Sequence, residues 1–336
     1  MAYTTVDNGE EYFNTVLWTG DASSDKSISG VGFQPDWVWA KNRSDSNDNQ
    51  VIDSNRGAGK ILRTNSNGAE LTRSSDVGAG GLQNFESDGF DVHATSTNTN
   101  LNDNGELNVG WCWKANGGTT SSNSDGDITA TVQANTTAGF SIMTWTSNNA
   151  DNQTIGHGLG AAPEVFWVKI RDATGSWYCY FKEAGATHYL SLNSTGARVD
   201  NVIWGDTHPT SSVITVDTNS LSGSTPTVVS YAFKQIQGYS KFGSYTGNGN
   251  ADGPFVYTGF KPAWLLFKQS SASGENWRIF DNKRSPFNQV DDHLFASSNS
   301  VENDETGCDF LSNGFKWKNS DAHQNGNGAT YVYMAF

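Results

Sequence analysis

The chain has 336 residues, of which 35 are Asp or Glu and 21 are Lys or Arg, giving a formal net charge of −14 at pH 7. Binding of phosphates needs clustered cations, and the sequence has no run of Lys or Arg, so nucleic acid and anionic membrane surfaces are not expected as partners. No stretch approaches the about 18 apolar residues of a membrane span, and residues 1–11 lack the features of a secretory signal peptide.

A short phrase of the sequence occurs three times, at Gly32–Lys41, Gly160–Lys169 and Gly259–Lys268. Each copy contains a proline, a spacer, four apolar residues and a lysine. Proline cannot donate a ladder hydrogen bond, so it belongs at the start of a strand or just before it. Because consecutive residues of a strand point to opposite faces and all four are apolar, the phrase predicts a strand buried on both faces at the centre of a sheet.

The repeat extends to both sides of this phrase. Upstream, residues 16–20 match residues 142–147 and 241–247, and downstream, residues 109–114 match residues 229–234 and 332–336. Three landmarks in one order at one spacing predict a triplicated unit. We divide the chain into copy 1 (residues 1–115), copy 2 (126–236) and copy 3 (237–336).

The predicted elements are short strands separated by turn residues. In copy 1 they fall at 12–18, 36–41, 50–54, 60–64 and 106–114, and in copy 2 at 128–132, 140–146, 176–181, 188–192, 202–204, 213–216 and 227–234. Residues 115–126 are predicted to be a flexible linker, whereas the short junction at 235–238 predicts rigid packing of copies 2 and 3. The expected fold is all-β, with three tandem antiparallel β-sandwich domains of jelly-roll or lectin-like type.

The sequence offers few groups for chemistry. Asp53 and Arg56 align with Asp281 and Arg284 as Asp-x-x-Arg after a strand, which we interpret as an ion pair bracing a turn; copy 2 has no equivalent. The lysines that end the three phrases are expected to extend from a buried strand towards solvent. The three cysteines fall at different places in their copies and are expected to be free, consistent with synthesis in a reducing cytoplasm.

No cofactor is predicted. The acidic loops at 125–127 and 44–49 could offer oxygen ligands to calcium, but their spacing is not that of an EF-hand. The six histidines show no zinc spacing, and no nucleophile elbow, phosphate loop or dinucleotide fingerprint occurs. The chain is therefore expected not to be an enzyme.

Three tryptophans outside the central strands are the candidate ligand-binding residues. Exposed, Trp177, Trp204 and Trp277 could stack on sugar rings; the alternative is that they complete the cores of small domains. Trp204 is the strongest candidate for a ligand, because it precedes the loop at 205–209, which contains His208, and because copy 2 alone carries it.

Several segments resemble a repeat common in tailed phages of marine bacteria, cyanophages especially. They are residues 136–142, 155–163, 239–249 and 253–262, and the resemblance covers nearly the whole chain. It implies a virion structural protein, often labelled tail fibre, with lectin-like sandwich domains and no catalytic motif. No shaft repeat is found, which keeps a role on the capsid open.

The resemblance and the composition together give the expected function. The first hypothesis is a virion surface protein of tail-fibre type that binds host envelope glycans without cleaving them. The alternative is a capsid decoration, head-fibre or knob protein with a purely structural role, and a glycan-degrading enzyme is the remotest. Its partners would be other virion proteins and a host cell-surface glycan, and a homo-oligomer, with a trimer favoured, is expected.

Overall fold

The computed structural model describes residues 4–72, 81–94, 101–222 and 224–336. In these residues every pairing between named strands is antiparallel, and the α-helices are two segments of four or five residues. The prediction of an all-β antiparallel fold is confirmed. None of the described helices is long and apolar enough to cross a membrane.

The described strands are short and follow one another closely along the chain. Copy 1 contains β1 (Phe13–Thr19), β2 (Lys26–Ser29), β3 (Trp37–Asn42), β4 (Gln50–Asp53), β5 (Lys60–Ile61), β6 (Leu71–Thr72), β7 (Gly81–Glu86), β8 (Gly89–His93) and β9 (Leu107–Trp113). The next strands are β10 (Ser121–Asn123), β11 (Ala130–Asn135), β12 (Phe140–Thr146), β13 (Gln153–Gly156), β14 (Val165–Ile170), β15 (Tyr178–Phe181), β16 (His188–Ser191), β17 (Val199–Asp200), β18 (Val213–Val216) and β19 (Thr227–Phe233), with α1 (Thr218–Ser222). Copy 3 contains β20 (Lys241–Thr246), β21 (Phe255–Tyr257), β22 (Trp264–Gln269), β23 (Arg278–Asp281), β24 (Val290–Phe295), β25 (Asn303–Leu311), β26 (Gly314–Trp317) and β27 (Thr330–Ala335), with α2 (Ala322–Asn325). Single 3₁₀ turns lie at Gly9–Glu11, Lys182–Ala184 and Val202–Trp204.

The same four-strand arrangement occurs in all three copies. The strand orders are β1-β9-β3-β4, β12-β19-β14-β15 and β20-β27-β22-β23. The registers agree as well, since Trp37 lies opposite Trp113 and Val165 lies opposite Phe233. The sequence repeat is therefore also a repeat of structure.

The strands formed by the repeated phrase are buried on both faces, as predicted. All six residues of β3, β14 and β22 are buried. Their outward residues pack into a separate cluster within each copy. Their inward residues, together with those of β9, β19 and β27, belong to one cluster that contains side chains of all three copies.

This shared core is built mainly from aromatic rings. The centroid of the Trp37 ring in copy 1 lies 5.8 Å from that of Phe233 in copy 2, and Trp113 lies 5.3 Å from Trp264 in copy 3. The ring centroids of Phe233 in copy 2 and Phe336 in copy 3 lie 6.2 Å apart, so each copy contacts the other two. The expected arrangement of three separate sandwich domains in tandem is not confirmed, because each central sheet needs the other two copies to cover its inner face.

Equivalent contacts connect the copies in a closed cycle. Trp177 of copy 2 donates its indole N–H to the Arg63 carbonyl of copy 1 (2.8 Å), and Trp277 of copy 3 donates to the Ser191 carbonyl of copy 2 (2.9 Å). In copy 1 the corresponding position holds Asn49, whose amide donates to carbonyls of copy 3. The three units are thus related head to tail around a pseudo-threefold axis.

The segment predicted to be a flexible linker is ordered, so that prediction is wrong. The carboxylate of Asp36, which is fully buried, accepts hydrogen bonds from the backbone N–H groups of Ala115, Gly117 and Gly118 at 2.6–2.8 Å. Further along, Ser121–Asn123 pairs with β11 as strand β10. The linker is therefore attached to both copies that it joins.

Candidate functional site

The three tryptophans proposed as sugar-stacking residues lie in the core. Trp177, Trp204 and Trp277 are 0% exposed, and each indole N–H donates to a backbone carbonyl. No indole face is open to solvent, so the proposed stacking role is corrected to a structural one. The alternative from the sequence, that such residues complete the core, describes all three.

His208 is the member of the predicted set that reaches the surface. Its Nδ1 lies 2.6 Å from the hydroxyl oxygen of Tyr180, whose ring packs edge-on against Trp204. Trp204 and His208 are therefore near each other through Tyr180, whereas Trp177 and Trp277 lie at the contacts between copies. The four residues do not form one site.

The first Asp-x-x-Arg motif forms a fully buried ion pair rather than an exposed turn brace. The Nε of Arg56 lies 2.5 Å from Asp53, and its Nη1 lies 2.9 Å from Glu70. Glu70 also pairs with Arg171 of copy 2, and the hydroxyl of Tyr231 in copy 2 donates to Asp53 (2.6 Å). The motif therefore joins copy 1 to copy 2.

The charges in this cluster are stabilised by one another. Burial opposes the charge of Arg56, yet the carboxylates of Asp53 and Glu70 raise the pKa of its guanidinium above the ordinary value. Burial also opposes the charge of Glu70, but hydrogen bonds from Arg171 and Arg56 hold the pKa of its carboxyl below the ordinary value.

The second motif repeats this arrangement between copies 3 and 1. Arg284 pairs with Asp281 at 2.6 Å and with Glu302 at 2.9 Å, and Glu302 pairs in turn with Arg43 of copy 1. The position of Tyr231 is taken by Trp111, whose indole N–H donates to Asp281 at 2.9 Å.

The contact between copies 2 and 3 is apolar at the same positions. Phe181 and Ala184 replace the Asp and Arg of the motif, and Met334 replaces the tyrosine; all three belong to the shared core. The ring of Phe181 stacks on Trp277 at 5.7 Å. Copy 2 therefore has an apolar contact where the other two copies have the motif. The two polar clusters serve to join copies.

The lysines that end the three phrases do not reach solvent, contrary to the prediction. Lys41, Lys169 and Lys268 are 0% exposed and donate to backbone carbonyls, with distances of 2.6–3.2 Å. Within the described residues no carboxylate forms an ion pair with any of them. Burial lowers the pKa of each lysine to about 8.

The groups that could support catalysis or bind metal are dispersed or engaged. Cys112, Cys179 and Cys308 are free and buried, and burial raises the pKa of each thiol. In the calcium candidates, Asp127 accepts hydrogen bonds from Thr154, and Asp48 pairs with Arg63. The described part of the chain contains no group of three or more His, Cys, Asp or Glu residues placed to hold a metal ion.

The outer layers of copies 1 and 3 present equivalent positions to solvent. Strands β2-β8-β7 in copy 1 correspond to β21-β26-β25 in copy 3. Ser29 lies opposite Gly89 as Tyr257 lies opposite Gly314. Both glycines are required by close approach of the strands, because a Cβ at Gly89 or Gly314 would lie within 2.1 Å of a carbonyl oxygen on the neighbouring strand.

In copy 1 this layer forms what we call the acidic face. It is a shallow concavity of about 520 Å³ lined by Asp25, Ser27, Ser29, Glu86, Asp88 and Asp91, among others. Asp88 is engaged, since its carboxylate accepts from the backbone N–H groups of Gly30 and Gly32.

In copy 3 the equivalent layer is aromatic. Phe255 and Tyr257 of β21 take the positions of Ser27 and Ser29 and are 44% and 59% exposed. Phe287 is 81% exposed and is held beside the same sheet, since the neighbouring Asn288 amide bonds to the backbone of Phe310 on β25. We call Phe255 and Tyr257 the aromatic face. It is the candidate binding site, and its signal in the sequence is a pair of alternating aromatics where copy 1 has serines.

Comparison with known proteins gives a family without an assigned activity. A family model described as a domain of unknown function (DUF7483) matches residues 8–336. Comparisons with curated proteins and with solved structures found no match. The match includes all three copies and the contacts that join them, so the family model describes the whole pseudo-threefold unit. The chain therefore belongs to the DUF7483 family.

Proposed function

We propose that this protein is a virion surface protein of tail-fibre type that attaches to the host envelope by binding glycans. The resemblance of its repeated segments to a repeat of marine tailed phages supports a place on the virion. The observation that carries the binding function is the aromatic face, where two large rings are exposed on a layer whose counterpart in copy 1 is polar and acidic. Exposed aromatic side chains on a polar surface mark interaction sites.

Binding is proposed to occur without cleavage. The buried carboxylates of the two Asp-x-x-Arg clusters are paired with arginines and are closed to solvent. A glycan-degrading enzyme, the remotest alternative, would need two carboxyl groups facing a bound sugar. The carboxylates beside the aromatic face, Asp252 and Asp309, are paired with Lys316 and Lys318, which supports binding without cleavage.

A second candidate function is a capsid decoration, head-fibre or knob protein. It is favoured by the closed cycle of contacts between the copies and by their shared core, which make the chain a rigid unit suited to packing on a lattice. In this role the aromatic face would contact a neighbouring virion protein.

The proposed partners are other virion proteins and a host cell-surface glycan, with a homo-oligomer, preferably a trimer, as the assembly. The pseudo-threefold arrangement completes the shared core within one chain, so a trimer is not needed to build the fold. It would instead multiply weak sites, which raises avidity.

Two experiments test the proposal. Fluorescently labelled protein should bind susceptible host cells and not resistant ones, and a reconstruction of the virion should place the chain on the tail. Absence of cell binding, together with a fixed position on the capsid lattice, would reject the adhesin in favour of the decoration protein.

A further inference from the structure

We propose that the aromatic face binds a neutral glycan, with Phe255 and Tyr257 stacking on neighbouring sugar rings of one chain. The inference rests on the function proposed above and assigns it a site and a ligand class. It replaces the tryptophans as the sugar platform, because those indoles are buried whereas these rings are open to solvent.

The two rings are positioned as a platform. Phe255 and Tyr257 are alternate residues of β21, so their side chains leave the same face of the strand about 6.6 Å apart. The Phe255 ring lies across Gly314, since a Cβ on that glycine would come within 2.9 Å of two ring carbons. Part of the ring therefore rests on the sheet, and its exposed part is available to stack on the C–H face of a sugar.

Polar groups that can bind hydroxyls flank the rings. Lys316 lies opposite Phe255 across the strand pair, and its ammonium is 2.6 Å from the carboxylate of Asp252. On the next strand, Asp309 lies opposite Lys316, and its carboxylate is 3.6 Å from the ammonium of Lys318. We call the positions of Phe255, Lys316 and Asp309, which lie side by side across β21, β26 and β25, a row. These ion pairs offer donors and acceptors to sugar hydroxyls without a net charge.

Charge decides between neutral and acidic sugars. Lys316 and Lys318 at this face are paired with Asp252 and Asp309, and the protein as a whole carries a net charge of −14. A uronic acid or a sialic acid would approach an anionic molecule and meet no free cation among the described residues of this row. An uncharged hexose polymer is not repelled by the net negative charge of the protein.

The size of the aromatic face favours a glycan over a protein. A stable protein interface takes about 20–30 residues on each side. Here two exposed rings are followed by polar positions, with Ser312 and Asn313 exposed at the adjacent turn. Two rings with a polar border suit a short stretch of oligosaccharide.

Affinity electrophoresis of the full chain tests the inference with named polymers. Dextran, mannan and galactan serve as neutral probes and alginate as the acidic one. The test variant Phe255→Ser/Tyr257→Ser installs the serines of copy 1 at the equivalent positions, and Val202→Ser removes an exposed apolar side chain of copy 2 as the matched control. Circular dichroism and the melting temperature verify that both variants are folded.

We expect at least one neutral polymer to retard the wild type and the Val202→Ser control, with affinity at least tenfold lower for the double variant. Retardation by alginate alone, unchanged retardation of the double variant, or no retardation by any neutral probe would overturn the inference. Binding to host cells is measured in parallel: a double variant that still binds cells as the wild type does leaves the adhesin function intact and rejects this site. A wild type that binds a neutral polymer but not cells would reject the function and keep the site.

Discussion

The inner and outer faces of the three sheets differ in how strongly packing constrains their residues. At the inner positions, the copies have large apolar residues or paired charges that fit their neighbours, because each sheet is covered by the other two copies. At the outer layers, copy 1 presents Ser27 and Ser29 where copy 3 presents Phe255 and Tyr257. Packing against the other copies therefore constrains the inner residues, whereas the outer residues are free to differ between copies and to carry a function.

The largest effect is expected from removing an aromatic ring of the inner face. Trp113→Ala or Phe233→Ala should lower the free energy of unfolding by about 3–5 kcal/mol, since each is a buried aromatic in the shared core. Urea unfolding followed by fluorescence and by circular dichroism measures this. The loss should appear in a single transition detected by both probes, because the copies share one core. An unchanged midpoint, or separate transitions for the copies, would show that the inner faces do not form one shared core.

Removing one partner from a buried ion-pair cluster should lower the free energy of unfolding by a similar amount. Arg56→Met leaves the carboxylates of Asp53 and Glu70 without one of their partners and should cost about 3–5 kcal/mol. The triple variant Asp53→Phe/Arg56→Ala/Tyr231→Met installs the residues found at the contact of copies 2 and 3. It removes the unpaired charge and should be at least as stable as the single variant. A triple variant less stable than Arg56→Met would show that the two kinds of contact are not interchangeable.

A smaller effect is expected from the buried lysines. Their pKa is about 8 when folded against 10.5 ordinarily, so the unfolded chain holds more protons as pH rises above 8, and the stability of the fold increases. The gain between pH 7 and 9 should be about 1 kcal/mol per lysine. Above about pH 9 the cysteines, whose pKa burial raises, ionise in the unfolded chain alone and reverse the trend.

Urea titrations at pH 7, 8 and 9 measure this dependence. Lys41→Met should have a shallower rise than the wild type, because one of the three titrating groups is removed. A stability that falls steadily between pH 7 and 9 would contradict the assignment of these lysines to a dry environment.

The smallest effect on stability is expected at the outer faces. Phe255→Ser/Tyr257→Ser and the reciprocal Ser27→Phe/Ser29→Tyr should each change the free energy of unfolding by no more than about 1 kcal/mol, because these side chains are exposed or half-buried. Thermal melts of the two variants against the wild type give the measurement. A loss comparable to that of Trp113→Ala would mean that the outer layers are part of the core.

Much of the local structure could be predicted from the sequence. The central strands were located by a proline followed by apolar residues at both parities, since proline marks a strand start and a two-sided apolar strand must lie inside a sheet. The repeat spacing also predicted the equivalence of the copies. The candidate site could not be located in this way: the tryptophans and the aromatic face are all large rings outside the central phrases, and burial alone separates Trp204 from Phe255.

The all-β fold, the three equivalent units and the two Asp-x-x-Arg pairs follow from the sequence alone, because they depend on local periodicity and on residues close in the chain. Only the three-dimensional packing determines that one set of alternate residues in each central strand faces the other two copies, rather than a second sheet within its own copy. It also determines that the ion pairs and the lysines are buried and that one outer layer is aromatic. These outcomes depend on which surfaces meet across more than a hundred residues of chain, as for the 2.9 Å bond between Trp111 and Asp281, and no local pattern encodes such a meeting.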